Sequence, residues 1–545
     1  MENLSCDVVV LGGGPAAMTA TIAAMESGAD ALLVCKQSPG NSGNIVMARA
    51  GHSANFAPDD SAALFLEDTL EGGDHLNHPD VADAMCADSA ARIRDLYDWG
   101  IPFITREDGA FDLHPQGGHR RDRGVYPVRN WGVEVARPLR RKLDADGARI
   151  LENVMAVDLL VEEGVCRGVV GFHTRTGRIY AISAPATILA TGGAGQIYAE
   201  NTNAGGITGD AFGMALRAGL ALSDMEFVQF YPAVIKRPES NMVVAPTLFP
   251  LGARFLNRDG EDVLRDVPGG GGATRDLMAR AVYLELMGGG GVDGAVQMDL
   301  SGIPMAELEH FAPDNLKLFA RRGVSPHSSE IYVTPKAHFF MGGVPIDGAG
   351  ATAMPGLYAA GEASAGAHGA NRLSNNAFTE AHTLGWRAAR AASEYARSAD
   401  GAADPALARR HADALTARAG RPSRAVDLAR EIKRVCWENA GIVREGGLLE
   451  EARAELGRIG QGLTACGGSE PARLVEAVEA ENMCLSARAV AEAALARTES
   501  RGAHYRTDYP DPDDARWRVN VFVKKEGDAF SAASLPVGSI APQND

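Results

Sequence analysis

The chain has 545 residues, 46% of them hydrophobic, and a formal net charge of −17. That length accommodates roughly two to four domains with sizeable cores. The acidic balance argues against a nucleic-acid partner and against direct attachment to anionic lipid, so an anionic small molecule would have to be drawn by local clusters of basic residues.

The first predicted element is the apolar run Asp7 to Leu11, which reads as a buried parallel strand. It begins too early to leave room for a signal peptide. No apolar stretch is long enough to span a bilayer, so a cytoplasmic location without direct membrane insertion is expected. The strand runs into Gly12-Gly13-Gly14-Pro15-Ala16-Ala17, a G-x-G-x-x-A turn, followed by a helical stretch from Met18 to Ser27 and a second strand from Ala31 to Val34. Such a turn lets backbone N–H groups reach a pyrophosphate at a helix N-terminus, with Gly12, Gly14, Pro15 and Ala16 as the contacts. Cys35-Lys36 stands where an acidic ribose ligand is usual. Cys6, Cys35, Cys86, Cys166, Cys436, Cys466 and Cys484 have no C-x-x-C spacing. They read as small buried hydrophobes in a reducing compartment, and no metal site or iron–sulfur cluster is expected in this chain.

Further on, His114 to Arg121 is a basic, glycine-containing turn suited to an anion. Ala186 to Ala190 reads as a third strand entering Thr191-Gly192-Gly193, and Asp210 precedes a helix from Met214 to Ala221. The segment 236–334 has a different texture, with glycine runs Gly269 to Gly272 and Gly288 to Gly291 that suggest loops or hinges. The run Gly356 to Glu380 concentrates Glu362, His368 and Arg372 in a glycine-rich stretch, good for holding a charged planar ligand. His368 and Arg372 are close enough in sequence to face one anion. After residue 395, Leu474, Val478 and Leu485 recur at helical spacing. The last residues, after about Phe530, look loosely ordered.

Several of these segments, in this order, resemble the succinate dehydrogenase, fumarate reductase and L-aspartate oxidase flavoproteins. The resemblance rests on the N-terminal turn, the ATGG turn at Thr191, Gly361-Glu362-Ala363, His368-Gly369-Ala370-Asn371-Arg372, and Ser500 to Tyr505 with Asp508-Tyr509-Pro510. It covers Asp7 to about Pro510. It implies an α/β fold: a discontinuous Rossmann-like FAD-binding domain (1–235 and 335–395), an inserted α+β capping domain (236–334), a helical domain (396–510) and a C-terminal tail (511–545). It implies FAD held through Gly12, Gly14, Pro15, Ala16, Lys36, Asn44, Ala48, Gly192, Gly193, Asp210, Glu362, Ser374 and Asn376.

The chemistry implied is hydride exchange between flavin N5 and a carbon–carbon bond beside a carboxylate. Such a reaction needs a proton donor opposite the flavin and cations on the carboxylate. By resemblance the donor is Arg275, with Asp276 and Arg280 as relay neighbours, and His338 and Arg372 hold a small carboxylate substrate, with His119 and Tyr231 beside it. Departures from the family pattern bear on the substrate. Tyr231 stands where four-carbon dicarboxylate enzymes carry a histidine, Ala245-Pro246 where they carry Thr-Glu, and Gln116 where L-aspartate oxidase carries an acid. Asn44 aligns with the histidine that bonds FAD covalently in the membrane complexes, so non-covalent FAD is expected, with a potential favouring alkene reduction. The resemblance also implies a separate electron-carrier subunit, of iron–sulfur or other type. Two alternatives stay open: an amino-acid oxidase, and an electron-transfer subunit without a substrate of its own.

Overall fold

The computed structural model describes residues 1–49, 51–129, 131–399 and 403–540. Its centre is a five-stranded parallel sheet in the order Leu357–Ala359, Ala186–Leu189, Val8–Leu11, Ala31–Cys35, Arg149–Glu152. Val8, Val9 and Val10 are fully buried and Leu11 nearly so. A strand covered on both faces has no polar side to alternate with, which is why the sequence shows an unbroken apolar run. The helix Pro15–Glu26 begins directly after the glycine turn, with Pro15 in its first turn, where a missing N–H costs nothing. It packs on the helix Asn376–Ala396. The two backbones come so close that a Cβ on Gly385 would lie 2.7 Å from the Ala16 carbonyl oxygen. A meander of Val154–Glu162, Val165–His173 and Ile179–Ser183, extended by Glu2–Ser5, forms a second sheet over the first.

The inserted region hangs from two adjacent antiparallel strands, Val228–Arg237 and Tyr332–Phe340, which run through the expected boundaries at 235 and 335. With Val296–Asp299 and Arg254–Leu256 they make a four-stranded sheet. This cap has its own hydrophobic core, including Ile235, Phe249, Phe255, Met298, Phe319 and Val333. The helix Arg275–Met287 lies along the cap at its junction with the rest of the molecule.

Helices Pro405–Ala419, Ala425–Asn439, Gly446–Leu463 and Pro471–Ala496 form the C-terminal region. Leu474, Val478 and Leu485 are buried on the last of them. The described residues after Phe530 are more ordered than expected from sequence; 541–545, which that expectation also covers, lie outside the described residues. Val519–Glu526 and Ala529–Pro536 form a hairpin, and the first of these strands pairs with Leu222–Ser223. Val521, Phe522 and Val523 are buried there, and that tertiary surface holds a hairpin whose second strand, Ala529–Pro536, has no fully buried residue of its own. All seven cysteines are buried and free.

Candidate active site

One cavity of about 1330 Å³ runs from the first glycine turn to the underside of the cap. Ordinary small-molecule sites occupy about 300–1,000 Å³, so this space takes a dinucleotide together with a small second ligand. All five parallel strands deliver residues to it from their C-terminal ends: Gly12 to Gly14, Lys36, Asn153, Ala190 to Gly192, and Ala360 to Glu362. Ligands of open α/β sheets sit at that edge because the loops there diverge.

The glycine turn is built for close approach. Gly12 has φ +133°, and a Cβ on it would lie 2.1 Å from the Ala190 carbonyl oxygen. Gly14 has nothing within 4 Å of a Cβ position, so its missing side chain leaves open space before the helix N-terminus. That cradle fits a pyrophosphate. Lys36 lines the cavity with its ammonium paired to Asp210 (2.9 Å) and Glu479 (2.7 Å). Its charge is therefore shared with two carboxylates, which outweigh the effect of burial and set its pKa above the ordinary lysine value. Asp210 also accepts from Thr208 and Asn482, so its carboxylate is occupied by protein groups. Asn44 donates to Asn203 Oδ1 at 2.6 Å and accepts from the Ala204 N–H at 3.0 Å. Glu362 accepts from the Phe340 N–H at 3.1 Å, and burial pushes its carboxyl up to about 7.

The far end of the cavity is cationic. Arg372 is buried, its guanidinium 4.4 Å from the centre of the Phe339 ring. Arg275, at the start of its helix, lies 5.2 Å from the Tyr231 ring. Both guanidiniums donate to one atom, Gln229 Oε1, at 2.8 Å from Arg372 and 3.3 Å from Arg275. The amide faces them that way because its Nε2 is used on Asn371 Oδ1 and the Arg372 carbonyl. Among the described residues neither arginine has a carboxylate partner within salt-bridge distance, and Arg372 Nε has no hydrogen-bond partner. Burial and the mutual repulsion of the two charges push the Arg372 pKa down to about 9; burial lowers that of Arg275. At rest both guanidiniums are protonated, and an anion arriving between the two would relieve the cost of holding their charges.

His338 stands beside this pair, with Thr202 Oγ1 2.8 Å from Nδ1 and the Tyr231 ring centre 5.2 Å from its own. Burial, Arg372 and Arg275 all oppose its protonation and hold its pKa well below the usual histidine value. A neutral imidazole with Nδ1 occupied leaves Nε2 for a ligand. A second cavity of about 280 Å³ shares Arg275, Arg372 and Pro246 with the first and continues past Ser374 and Thr274. Ser374 Oγ accepts from Arg275 at 3.1 Å.

The structure thus brings Arg275, His338, Arg372 and the Tyr231 ring together on one cavity, with Gly12, Gly14, Pro15, Ala16, Lys36, Asn44, Ala48, Gly192, Asp210 and Glu362 along the rest of it. Other expectations need correction. His119 walls the second cavity only. Nε2 is 3.2 Å from the Ser374 carbonyl and Arg123 donates to Nδ1, so neither ring nitrogen is left for a substrate. Burial and Arg123 lower its pKa to about 4. Tyr231 offers only its ring, because its hydroxyl donates to the Val244 carbonyl at 2.7 Å. His368 does not join Arg372: it lies 3.1 Å from Glu380 beneath the Phe339 ring. Asp276 accepts from Asn371 and Arg280 lies over Tyr505, so neither is placed to reprotonate Arg275. Gly193 does not line the cavity. A Cβ there would lie 2.6 Å from Glu362 Oε1, so its role is to admit that carboxylate. Ser374 lines the second cavity and not the main one, and Asn376 is buried at a helix start and lines neither.

Three contributors were not singled out from sequence: Gln229, Thr202 and Arg49. Arg49 pairs through Nη1 with Asp314 of the cap, stacks 4.7 Å from Trp131, lines the main cavity, and has no partner for its buried Nη2. An arginine beside the aligned Asn44 was a signal in the sequence; its tie to Asp314 was not.

The family profile described as FAD binding domain matches residues 7–377, and that described as fumarate reductase flavoprotein C-term matches 429–540. The matching component of the CoM/CoB-type fumarate reductase of Methanothermobacter marburgensis is 35% identical, the match covering 96% of this chain and 98% of that protein. L-aspartate oxidase of Streptomyces coelicolor is 32% identical over 96% of this chain and 92% of its own length. Among solved structures, the FrdA chain of E. coli quinol fumarate reductase superposes with a TM-score of 0.92 at 28% identity, covering 100% of this chain and 99% of that one.

Proposed function

The chain belongs to the fumarate reductase and succinate dehydrogenase flavoprotein family, and we propose that this FAD-dependent oxidoreductase reduces the carbon–carbon double bond of an unsaturated carboxylate other than plain fumarate. The observation that carries the reading is the pair of guanidiniums sharing Gln229 Oε1 without a carboxylate of their own. A bound FAD supplies the centre that exchanges hydride with the substrate carbon. Arg372 and the neutral His338 hold the carboxylate and polarise it as negative charge develops on it. Arg275 delivers the proton to the neighbouring carbon. Burial favours that release, and the second cavity, polar around Ser374 and Thr274, gives water a route to restore the proton.

The other end of the substrate meets Arg49, Tyr231 and Pro246. Arg49 Nη2 is the unpaired donor on that side, so the second substituent is a hydrogen-bond acceptor or anion held by a group other than the family's histidine and glutamate. FAD is bound non-covalently, since Asn44 is an amide with both ends used. Acid precipitation should release all the flavin, and a pellet that stays yellow would overturn this. Electrons reach the site from a separate carrier subunit. Two of the relatives are themselves named as subunits, one of them as a flavoprotein subunit, which supports this arrangement. Among the described residues no helix is long and apolar enough to cross a membrane, so any membrane contact would run through a partner. Oxidation of an amino acid is the weaker reading, because Gln116 is neutral and its Oε1 accepts from Ser53 at 2.9 Å.

The test is anaerobic. The flavin is reduced with dithionite, and its reoxidation is followed on adding fumarate and a panel of substituted unsaturated acids. Fast reoxidation by a substituted acid is expected. Reoxidation by oxygen alone would replace this reading with an oxidase or an electron-transfer role.

A further inference from the structure

We propose that Asp112, His114 and His310 form a binding site for a divalent transition-metal ion of the zinc class that latches the cap to the flavin domain. One carboxylate oxygen and one nitrogen from each imidazole lie within 4.8 Å of one another. Asp112 and His114 belong to the flavin domain, and His310 lies in the last turn of the cap helix Met305–Phe311. His114 is rigidly placed. Its backbone N–H and carbonyl are both bonded to Gly124, at 2.9 and 3.0 Å, and its ring packs edge-on against Tyr126 at 5.1 Å. It is only 7% exposed, yet Nε2 has no hydrogen-bond partner. That atom lies 3.3 Å from Asp112 Oδ2, outside hydrogen-bond geometry.

A buried nitrogen without a partner carries a desolvation cost. A metal ion removes it by taking the nitrogen lone pair. The His310 ring lies nearly parallel at 5.4 Å (11° between planes), where a small turn of this exposed side chain brings its nitrogen to the same ion. Two imidazoles and a carboxylate are a zinc-type donor set, with a fourth position left for water. The site lies at the same end of the cap as the Arg49–Asp314 pair, so a metal there adds a second tie across one seam. Cysteine spacing gave no hint of it, because the donors come from segments that only the fold brings together.

The test uses the FAD-loaded protein freed of metal by a chelator and titrated with zinc chloride, read by bound zinc after gel filtration and by limited proteolysis of the cap. One zinc per chain and slower cap cleavage are expected. His310→Ala and Asp112→Asn should each weaken binding about 10-fold or more, and His310→Cys, which keeps a zinc ligand at an exposed position, should retain it. No saturable zinc, or zinc bound equally well by His310→Ala, would overturn the site. Zinc bound with unchanged cap cleavage would overturn the latch.

Discussion

Two clusters of buried arginine in this molecule look alike in composition and opposite in electrostatics. Around Arg497, which is fully buried, each guanidinium nitrogen has a partner: Glu226 at 2.6 Å, Glu499 at 3.0 Å, and the carbonyls of Trp517 and Val519. Carboxylates are in excess there, and burial beside Glu226 pushes Asp224 up to about 7. Around Arg275 and Arg372 cations are in excess, and a single neutral amide oxygen serves both. A paired cluster closes the C-terminal segment onto the core, whereas an unpaired one is disposed to take an anion. Partner accounting, not the mere presence of arginine, separates structural from functional charge.

The comparison breaks most visibly at Arg275. Arg275→Gln should lower the rate of flavin reoxidation by the substrate roughly 10²–10⁴-fold, with a melting temperature close to that of the unaltered protein; a small rate loss would remove Arg275 as proton donor. Arg497→Met should do the reverse. It leaves Glu226 buried without its cation, while Glu499 keeps Arg501 at 2.9 Å, and should cost about 3–5 kcal/mol by chemical denaturation, with little change in substrate affinity for the molecules that remain folded. Arg372→Met sharpens the contrast. Substrate binding should weaken by about 2–4 kcal/mol while thermal stability holds or rises, because a buried charge without a carboxylate partner has been removed. A clear loss of stability would mean that Arg372 is structural after all.

Glu362 gives a pH signature. Its folded pKa of about 7 is above the unfolded carboxyl value, so its favourable contribution is complete at pH 4 and lost as pH rises through 7. Glu362→Gln mimics the protonated form. It should leave stability unchanged near pH 4 and raise it above pH 7 by roughly 3 kcal/mol at most, measured as melting curves across pH with FAD bound. The smallest effect is expected at Thr202. Thr202→Val frees His338 Nδ1 and should raise KM by a factor of about 2–10 with kcat nearly kept, the pattern of a positioning residue.

Much of the dinucleotide end was legible in the sequence, since it is made of consecutive residues. The run Val8 to Leu11, the turn Gly12 to Gly14 and the helix after it are one local unit whose hydrophobic pattern and glycine positions state their own geometry. Arg275, His338 and Arg372 were legible through motif resemblance, and the structure sets all three on one cavity. The places where proximity in sequence misled are instructive. His368 is four residues from Arg372 yet faces Glu380, and Asp276 adjoins Arg275 yet turns to Asn371. Neighbours in a tight loop or first helical turn diverge as readily as they converge.

By itself the sequence determined the sheet-forming runs, the phosphate-binding turn, the buried character of the cysteines and the kinds of side chain available for the chemistry. These follow from local hydrophobic periodicity, backbone freedom at glycine and residue type, all of which act over a few positions. Only the tertiary structure decided which charges are paired. Lys36 is neutralised by Asp210 and Glu479, Arg49 is half-used by Asp314, and Arg275 and Arg372 share one amide oxygen and have neutral partners only. Pairing depends on distances of about 3–4 Å between groups far apart along the chain, and the packing of cap, sheet and helices sets those distances.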